Sequence, residues 1–160
     1  MQVLRLISPS LKREALRRFS GKASKFAPLI IMSNAQVLIV DDNPNNILVL
    51  QQLLHMEAVD SKTISTTKDL ASQLNSITNI DIVFLDMEMP VIDGYQAVKL
   101  IKAHPNFTSA RLIAYSVHVS ELHNALAMGF DGFLGKPLNA EAFPDQLQRI
   151  LQGEQVCYIP

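Results

Sequence analysis

The chain has 160 residues, 48% of them hydrophobic and 18% charged, with a formal net charge of −1 at pH 7. This length and apolar fraction predict one well-packed domain and exclude two domains of ordinary size. Its single cysteine, Cys157, excludes an internal disulfide, and no apolar run approaches the roughly 18 residues that a membrane-spanning helix needs.

Charge is distributed unevenly along the chain. The first 31 residues carry seven of the 14 basic residues and one of the 15 acidic residues, so residues 1–33 are predicted to be a basic leader. The acidic remainder argues against nucleic acid as the main partner. Three interpretations of the leader stay open: a disordered tail translated from an upstream start, an organelle transit peptide, or a helix that binds a surface or a partner.

Beyond the leader, short apolar runs alternate with amphipathic segments. The predicted strands lie at residues 36–40, within 59–65, and at 80–85, 111–115 and 132–135. The predicted helices lie at residues 44–55, 94–103, 120–128 and 140–151, with one more that contains Leu70, Leu74 and Ile77 and that Thr66 or Thr67 caps. Pro44 suits a first helical turn, and Asn139 suits a cap. Five strands alternating with five helices predict an α/β fold with a doubly wound parallel sheet.

Charged residues end three of the predicted strands. Asp41 and Asp42 follow the run VLIV, Asp86 follows IDIVFL, and Lys136 follows GFLG. Open α/β sheets place their active sites at these carboxyl ends. Three carboxylates gathered there repel one another unless a cation is bound among them, and Mg²⁺ with its oxygen ligands suits that need. Asp41 and Asp42 could instead cap the next helix, whose dipole favours acids.

Asp86 is the candidate nucleophile of this edge. It ends the most hydrophobic strand, where an unpaired buried charge is costly, and a carboxylate can attack phosphorus to form an acyl phosphate. Lys136 could neutralise the transferred charge, although a Lys-Pro pair is often only a turn. The hydroxyl of Ser116, at the end of the fourth strand, could bind a phosphoryl oxygen or merely cap its loop. Phe133 is most simply read as core packing.

Four segments together carry a family resemblance. VLIVDDNPNN, VFLDMEMPVIDG, IAYS and GFLGKPL resemble, in order and spacing, the receiver domain of two-component response regulators. The resemblance covers residues 35–152, which divides the chain into the leader, a receiver domain at 34–152 and a short extension at 153–160. It implies a flavodoxin-like, five-stranded sheet of order 2-1-3-4-5 with the site at the switch point.

The resemblance also implies roles for individual residues. Asp86 corresponds to the phosphoacceptor. Asp42 and Asp86 correspond to direct Mg²⁺ ligands, Asp41 to a ligand through water, and the backbone carbonyl of Glu88 to a further ligand. Lys136 would pair with the phosphoryl group.

Further positions concern switching. The resemblance implies a cis peptide before Pro137, a switch hydroxyl at Ser116, and an aromatic at Phe133 that turns inward on activation. Three departures from the family pattern are Val117, where Ala or Gly is preferred, the Glu88 and His118 pair beside the site, and Phe133 in place of the frequent Tyr.

These correspondences predict a single-domain response regulator. It would accept a phosphoryl group from a histidine kinase or phosphotransfer protein and bind a downstream protein through the face of its fourth helix, fifth strand and fifth helix. The expected location is the cytoplasm, and the expected catalysis is limited to its own phosphotransfer and slow dephosphorylation. The alternatives are a scaffold that works without phosphorylation and an Asp-nucleophile phosphatase, whose usual second acid, an Asp two residues later, is Glu88 here.

Overall fold

The computed structural model describes residues 34–66, 68–90 and 94–160. The strands of this part of the chain are β1 Gln36–Val40, β2 Asp60–Ile64, β3 Ile82–Asp86, β4 Arg111–Ser116, β5 Gly132–Gly135 and β6 Cys157–Tyr158. The α-helices are α1 Pro44–Met56, α2 Leu70–Asn75, α3 Gly94–Ala103, α4 Leu122–Ala127 and α5 Phe143–Leu151. Within these described ranges, no helix has both the length and the apolarity to cross a membrane. The predictions for residues 1–33 lie outside the described residues.

All strand pairs of the sheet are parallel, in the order β2-β1-β3-β4-β5-β6. The predicted order 2-1-3-4-5 is therefore confirmed. The structure adds one strand, because residues of the predicted extension pair with β5. The chain reverses its direction of winding between β1 and β3, and in such sheets this reversal opens a crevice at the carboxyl ends of the strands.

Two apolar layers cover the sheet, one on each face. All five residues of β3 are buried, which explains why its sequence is a continuous apolar run rather than an alternating one. One layer joins Leu38, Val83 and Phe133 to residues of α2, α3 and α4. The other joins Phe84 and Val156 to residues of α1 and α5. The sheet is thus covered on both faces, and the ends of its strands are fixed by this packing.

Helix caps explain where two of the helices begin. The side chain of Asn43 accepts a hydrogen bond from the amide of Asn45 at 2.9 Å, and Pro44 occupies the first turn of α1. Asn139 Oδ1 accepts hydrogen bonds from two amides, those of Glu141 at 2.9 Å and Ala142 at 3.1 Å. Asn139 therefore caps the turn that leads into α5, but the predicted helix start at residue 140 is wrong, because regular α-helix begins only at Phe143.

The predicted start of α2 is wrong. Thr66 does not cap this helix, because its hydroxyl accepts a hydrogen bond from the amide of Lys68 and so closes an earlier turn. The helix begins after Asp69, whose φ is 56°, and ends at Asn75, so that Ile77 is buried but lies beyond it. Thr67 lies outside the described residues. The predicted helix at 120–128 is also shorter than expected, because a 3₁₀ turn at Val119–Glu121 precedes α4.

Candidate functional site

The sheet register gathers the predicted charged residues at one edge. Asp41 directly follows β1, Asp86 ends β3 and Lys136 directly follows β5. Each of the three acids at this edge, Asp41, Asp42 and Asp86, offers a carboxylate oxygen, and these oxygens lie within 4.8 Å of one another. The predicted convergence of these four side chains is therefore present in the structure.

Asp41 is fully buried, and its carboxylate makes three polar contacts. Its Oδ1 accepts hydrogen bonds from the amide of Asn43 at 2.8 Å and from the side chain of Asn46 at 3.3 Å. Its Oδ2 lies 3.0 Å from the ammonium of Lys136. Asp41 therefore holds the start of α1 and the amine of the site at once, so the helix-capping and the site interpretations both describe it. Asn46 is a site residue that the sequence did not single out, although it lies within the segment that carried the family resemblance.

Lys136 joins the two buried acids. Its Nζ lies 3.2 Å from Asp86 Oδ1 and 4.2 Å from the centre of the Tyr115 ring, and its side chain is only 8% exposed. The backbone amide of Lys136 donates to the carbonyl of Ser116 at 2.8 Å, which extends the β4–β5 ladder by one bond. The predicted cis peptide between Lys136 and Pro137 is confirmed. Tyr115 was not predicted as a site residue, because an aromatic in an apolar strand is usually packing.

Burial raises the pKa of Asp86 from 3.8 to about 6. The charges of Asp41 and Asp42 act in the same direction, while the charge and hydrogen bond of Lys136 oppose them. Burial also raises the pKa of Tyr115 above its ordinary value, with help from Asp41 and Asp86, so its phenol is neutral at physiological pH. The charged form of Asp86 is thus destabilised, and a further cation beside it would stabilise that form.

The two predicted switch residues flank this cluster. Ser116 is fully buried at the end of β4, and its Oγ accepts a hydrogen bond from the amide of His118 at 3.0 Å. This bond is the loop cap that the sequence left open as an alternative. Phe133 is also fully buried, so its ring already lies inside the protein. Val117, the departure from the family pattern, is 54% exposed.

The loops after β3 and β4 meet beside the acids. Glu88 Oε1 lies 2.5 Å from His118 Nε2, and both side chains are about half exposed. The amide of Glu88 also donates to Asp86 Oδ1 at 3.2 Å. The Glu88 and His118 pair, predicted to lie beside the site, is therefore in direct contact.

The donor set fits a hard divalent cation. Asp41, Asp42 and Asp86 supply oxygen atoms only, which is the ligand type that Mg²⁺ prefers. Three carboxylates face a single ammonium, so the cluster carries excess negative charge. One of the three, Asp42, is exposed, which leaves the cluster open to an ion from solvent.

Comparison with known proteins places the chain among signalling proteins. The family described as the response regulator receiver domain matches residues 37–148. Hybrid signal transduction histidine kinase A of Dictyostelium discoideum is 35% identical over 122 residues, which cover 71% of this chain and 6% of the kinase. Sensor protein GacS of Pseudomonas syringae pv. syringae is 33% identical over 65% of this chain and 12% of its own length. The chain thus spans a small part of these curated relatives.

Solved structures share the fold. A response regulator receiver domain from Methylobacillus flagellatus superimposes with a TM-score of 0.64 at 26% identity, covering 72% of this chain and 98% of that one. The receiver domain of a sensor histidine kinase from Pseudomonas aeruginosa gives a TM-score of 0.61 at 28% identity, covering 74% of this chain and 94% of that one. That structure holds a magnesium ion coordinated in its active-site cleft.

Proposed function

This chain belongs to the response regulator receiver domain family of two-component signalling, and from that membership we propose that Asp86 is its phosphoacceptor. The observation that carries the proposal is the contact of the Asp86 carboxylate with Lys136 at 3.2 Å, inside a cluster of three carboxylates. A candidate nucleophile, an ammonium that can neutralise its charge, and carboxylates that can bind a metal ion thus lie together at the carboxyl edge of the sheet.

The proposed reaction exchanges one phosphoryl bond for another. A carboxylate oxygen of Asp86 attacks the phosphorus of a phosphohistidine on a kinase or phosphotransfer protein, the P–N bond breaks, and the P–O bond of an acyl phosphate forms. The imidazole nitrogen keeps the electron pair of the broken bond and takes up a proton. Attack needs the ionised carboxylate, so the raised pKa of Asp86 matters for the reaction.

The other site residues hold charge in place. Lys136 contacts both Asp41 and Asp86 and would keep an ammonium next to the incoming phosphoryl oxygens. Asp42 and Asp86, with the backbone carbonyl of Glu88 and with Asp41 through water, would hold Mg²⁺. The metal would supply charge neutralisation for the phosphoryl oxygens. Phosphotransfer depends mainly on such positioning and neutralisation, so no further acid or base is needed.

The proposed product adds about −1.5 to −2 of charge beside Lys136. This charge would draw the ammonium away from Asp41, and the hydroxyl of Ser116 would exchange its contact with the amide of His118 for a phosphoryl oxygen. Both residues adjoin β5 through the β4–β5 ladder. The change would shift an existing equilibrium at the face of α4, β5 and α5, to which a downstream protein would bind.

In this proposal the protein acts as a switch and does not turn over a separate substrate. Its catalysis would be limited to its own phosphotransfer and slow dephosphorylation, and its location would be the cytoplasm. The single exposed cysteine, Cys157, supports a reducing compartment.

Labelling with acetyl phosphate tests the proposal. We expect a Mg²⁺-dependent phosphoryl adduct on the unsubstituted chain and its loss in Asp86→Asn, measured by intact mass. Asp145→Asn serves as a matched control, because Asp145 is an exposed acid of α5 whose side chain is 73% exposed. Labelling that survives in Asp86→Asn would contradict the site assignment. A chain that never labels would support a scaffold that works without phosphorylation.

A further inference from the structure

The outer edge of β5 is closed by the chain itself. Residues 154–160, here called the edge segment, pair β6 with β5 in parallel register, with Cys157 opposite Phe133 and Tyr158 opposite Leu134. The amide of Phe133 donates to the carbonyl of Val156 at 2.8 Å. The edge segment therefore occupies a strand edge at the centre of the face proposed for partner binding.

Anchors at its start hold the edge segment in place. Glu154 Oε2 lies 2.8 Å from Arg149 Nε on α5, and the carbonyl of Glu154 accepts from Arg111 Nη2 at 2.8 Å. Val156 is only 3% exposed and belongs to the apolar layer on the α1 and α5 side of the sheet. Burial of this valine therefore contributes more to docking than the exposed ion pair does.

Two glycines of β5 let the edge segment approach closely. A Cβ atom at Gly132 would lie 2.6 Å from the carbonyl oxygen of Val156. A Cβ atom at Gly135 would lie 2.6 Å from Pro160 Cδ and 3.2 Å from the carbonyl oxygen of Tyr158. The strand that precedes Lys136 thus begins and ends with a residue that has no side chain, and a Cβ atom at either one would collide with the edge segment.

We propose that the edge segment positions Lys136 by bracing the outer side of β5. Gly135 directly precedes Lys136 and has Ser116 of β4 as its partner on one side and Tyr158 and Pro160 on the other. Lys136 in turn places its ammonium 3.0 Å from Asp41 and 3.2 Å from Asp86. With the edge segment displaced, β4 would be the only strand paired with β5, and the ammonium would leave this geometry more often.

The positioning role rests on the proposed phosphoacceptor function and adds a regulatory consequence. A protein that takes the β5 edge must displace the edge segment, and it thereby changes the reactivity of Asp86. By linkage, the state of the site and the docking of the edge segment bias each other equally.

A pair of matched substitutions in the full chain tests the role. Val156→Asp places a charge in the buried position, and Ile159→Asp places the same charge at a position that is 56% exposed. Three readouts are compared: amide hydrogen exchange at Phe133, Mg²⁺ affinity followed by the NMR signal of the Asp42 amide, and the maximal rate of labelling by acetyl phosphate.

We expect Val156→Asp to accelerate exchange at Phe133 and to lower the maximal labelling rate about tenfold, because a displaced catalytic group loses rate steeply. Mg²⁺ affinity should stay the same or rise, because an ammonium that leaves Asp41 and Asp86 removes a competing positive charge, whereas a general loss of structure would lower it. Ile159→Asp and the conservative Val156→Ile should behave like the unsubstituted chain. If Val156→Asp does not fold, Tyr158→Ser, which removes a half-buried ring of the same segment, keeps the comparison decisive.

The failures of the two proposals are distinguishable. Faster exchange at Phe133 with an unchanged labelling rate would overturn the positioning role alone, and so would unchanged exchange in Val156→Asp. An unsubstituted chain that takes no label would overturn the phosphoacceptor function and, with it, the positioning role.

Discussion

Among single residues, Asp86 is the one whose ionisation opposes folding. Burial raises its pKa from 3.8 in the unfolded chain to about 6 in the folded one. The folded state therefore binds more protons between these two values, and stability falls as pH rises through this window. Above pH 6 the buried, ionised carboxylate therefore lowers the stability of the metal-free protein.

The neutral substitution Asp86→Asn removes that cost. We expect it to raise the free energy of unfolding by about 1 to 3 kcal/mol at pH 7.5 without Mg²⁺, since one unit of pKa corresponds to about 1.4 kcal/mol. The gain should shrink as pH falls below 6 and vanish near pH 3, where Asp86 is largely protonated in both states. Urea unfolding at the two pH values measures it. A loss of stability at pH 7.5 would mean that the Lys136 contact outweighs burial.

Lys136 has the opposite effect on the same carboxyl. Its charge and hydrogen bond lower the pKa of Asp86, so Lys136→Met should move that pKa above 6 and slow labelling at pH 7. Carboxyl ¹³C NMR titration of the metal-free protein measures the pKa. Lys99→Met, at an exposed position of α3, is the matched control and should leave the titration in place. An unchanged midpoint in Lys136→Met would contradict the ion pair.

The charged residues of the site could be predicted from the sequence, whereas the uncharged residues that contact them could not. Asp41, Asp86 and Lys136 stand out because each interrupts or follows an apolar run, where a charge needs a reason. Tyr115 and Asn46 lack such contrast, because a tyrosine in an apolar strand and an asparagine in a first helical turn are both ordinary there. Their contacts with Lys136 and Asp41 depend on the folded register.

Among the helices and strands, the point where a helix begins depends on one or two side-chain hydrogen bonds. Asn139 Oδ1 accepts from two amides ahead of α5. Asn139→Ala should therefore lower the free energy of unfolding by about 1 kcal/mol. Asn124→Ala, at an exposed interior position of α4, should be neutral or slightly stabilising because alanine favours helix. Chemical denaturation of both variants checks the contrast, and equal losses would show that the Asn139 bonds do not act as a cap.

The same dependence explains the wrong prediction for α2. Threonine favours caps and turns alike, and sequence alone does not decide which amide its hydroxyl will meet. Here the Thr66 hydroxyl accepts from the amide of Lys68, and the helix begins only at Leu70, two residues after Lys68. Long, strongly patterned elements such as α1 and β3 agree with the prediction to within two residues at each end, because many buried side chains fix them together.

For the whole molecule, the alternation of strands and helices in the sequence predicts the parallel sheet of five strands. It does not predict the sixth strand. A two-residue strand at Cys157–Tyr158 has too few positions to show a period, and it becomes a strand only because β5 offers an edge. That edge accepts it because Gly132 and Gly135 lack side chains. The resulting molecule has its reactive cluster at the carboxyl edge of the sheet and its own segment on the face proposed for a partner.

A phosphoryl group on Asp86 can be located chemically. Reduction of an acyl phosphate with borohydride converts the modified aspartate to homoserine, and peptide sequencing by mass spectrometry then locates it. After treatment with acetyl phosphate and Mg²⁺, we predict homoserine at position 86 and none when Mg²⁺ is withheld. Homoserine at another aspartate, or equal conversion without Mg²⁺, would contradict the account.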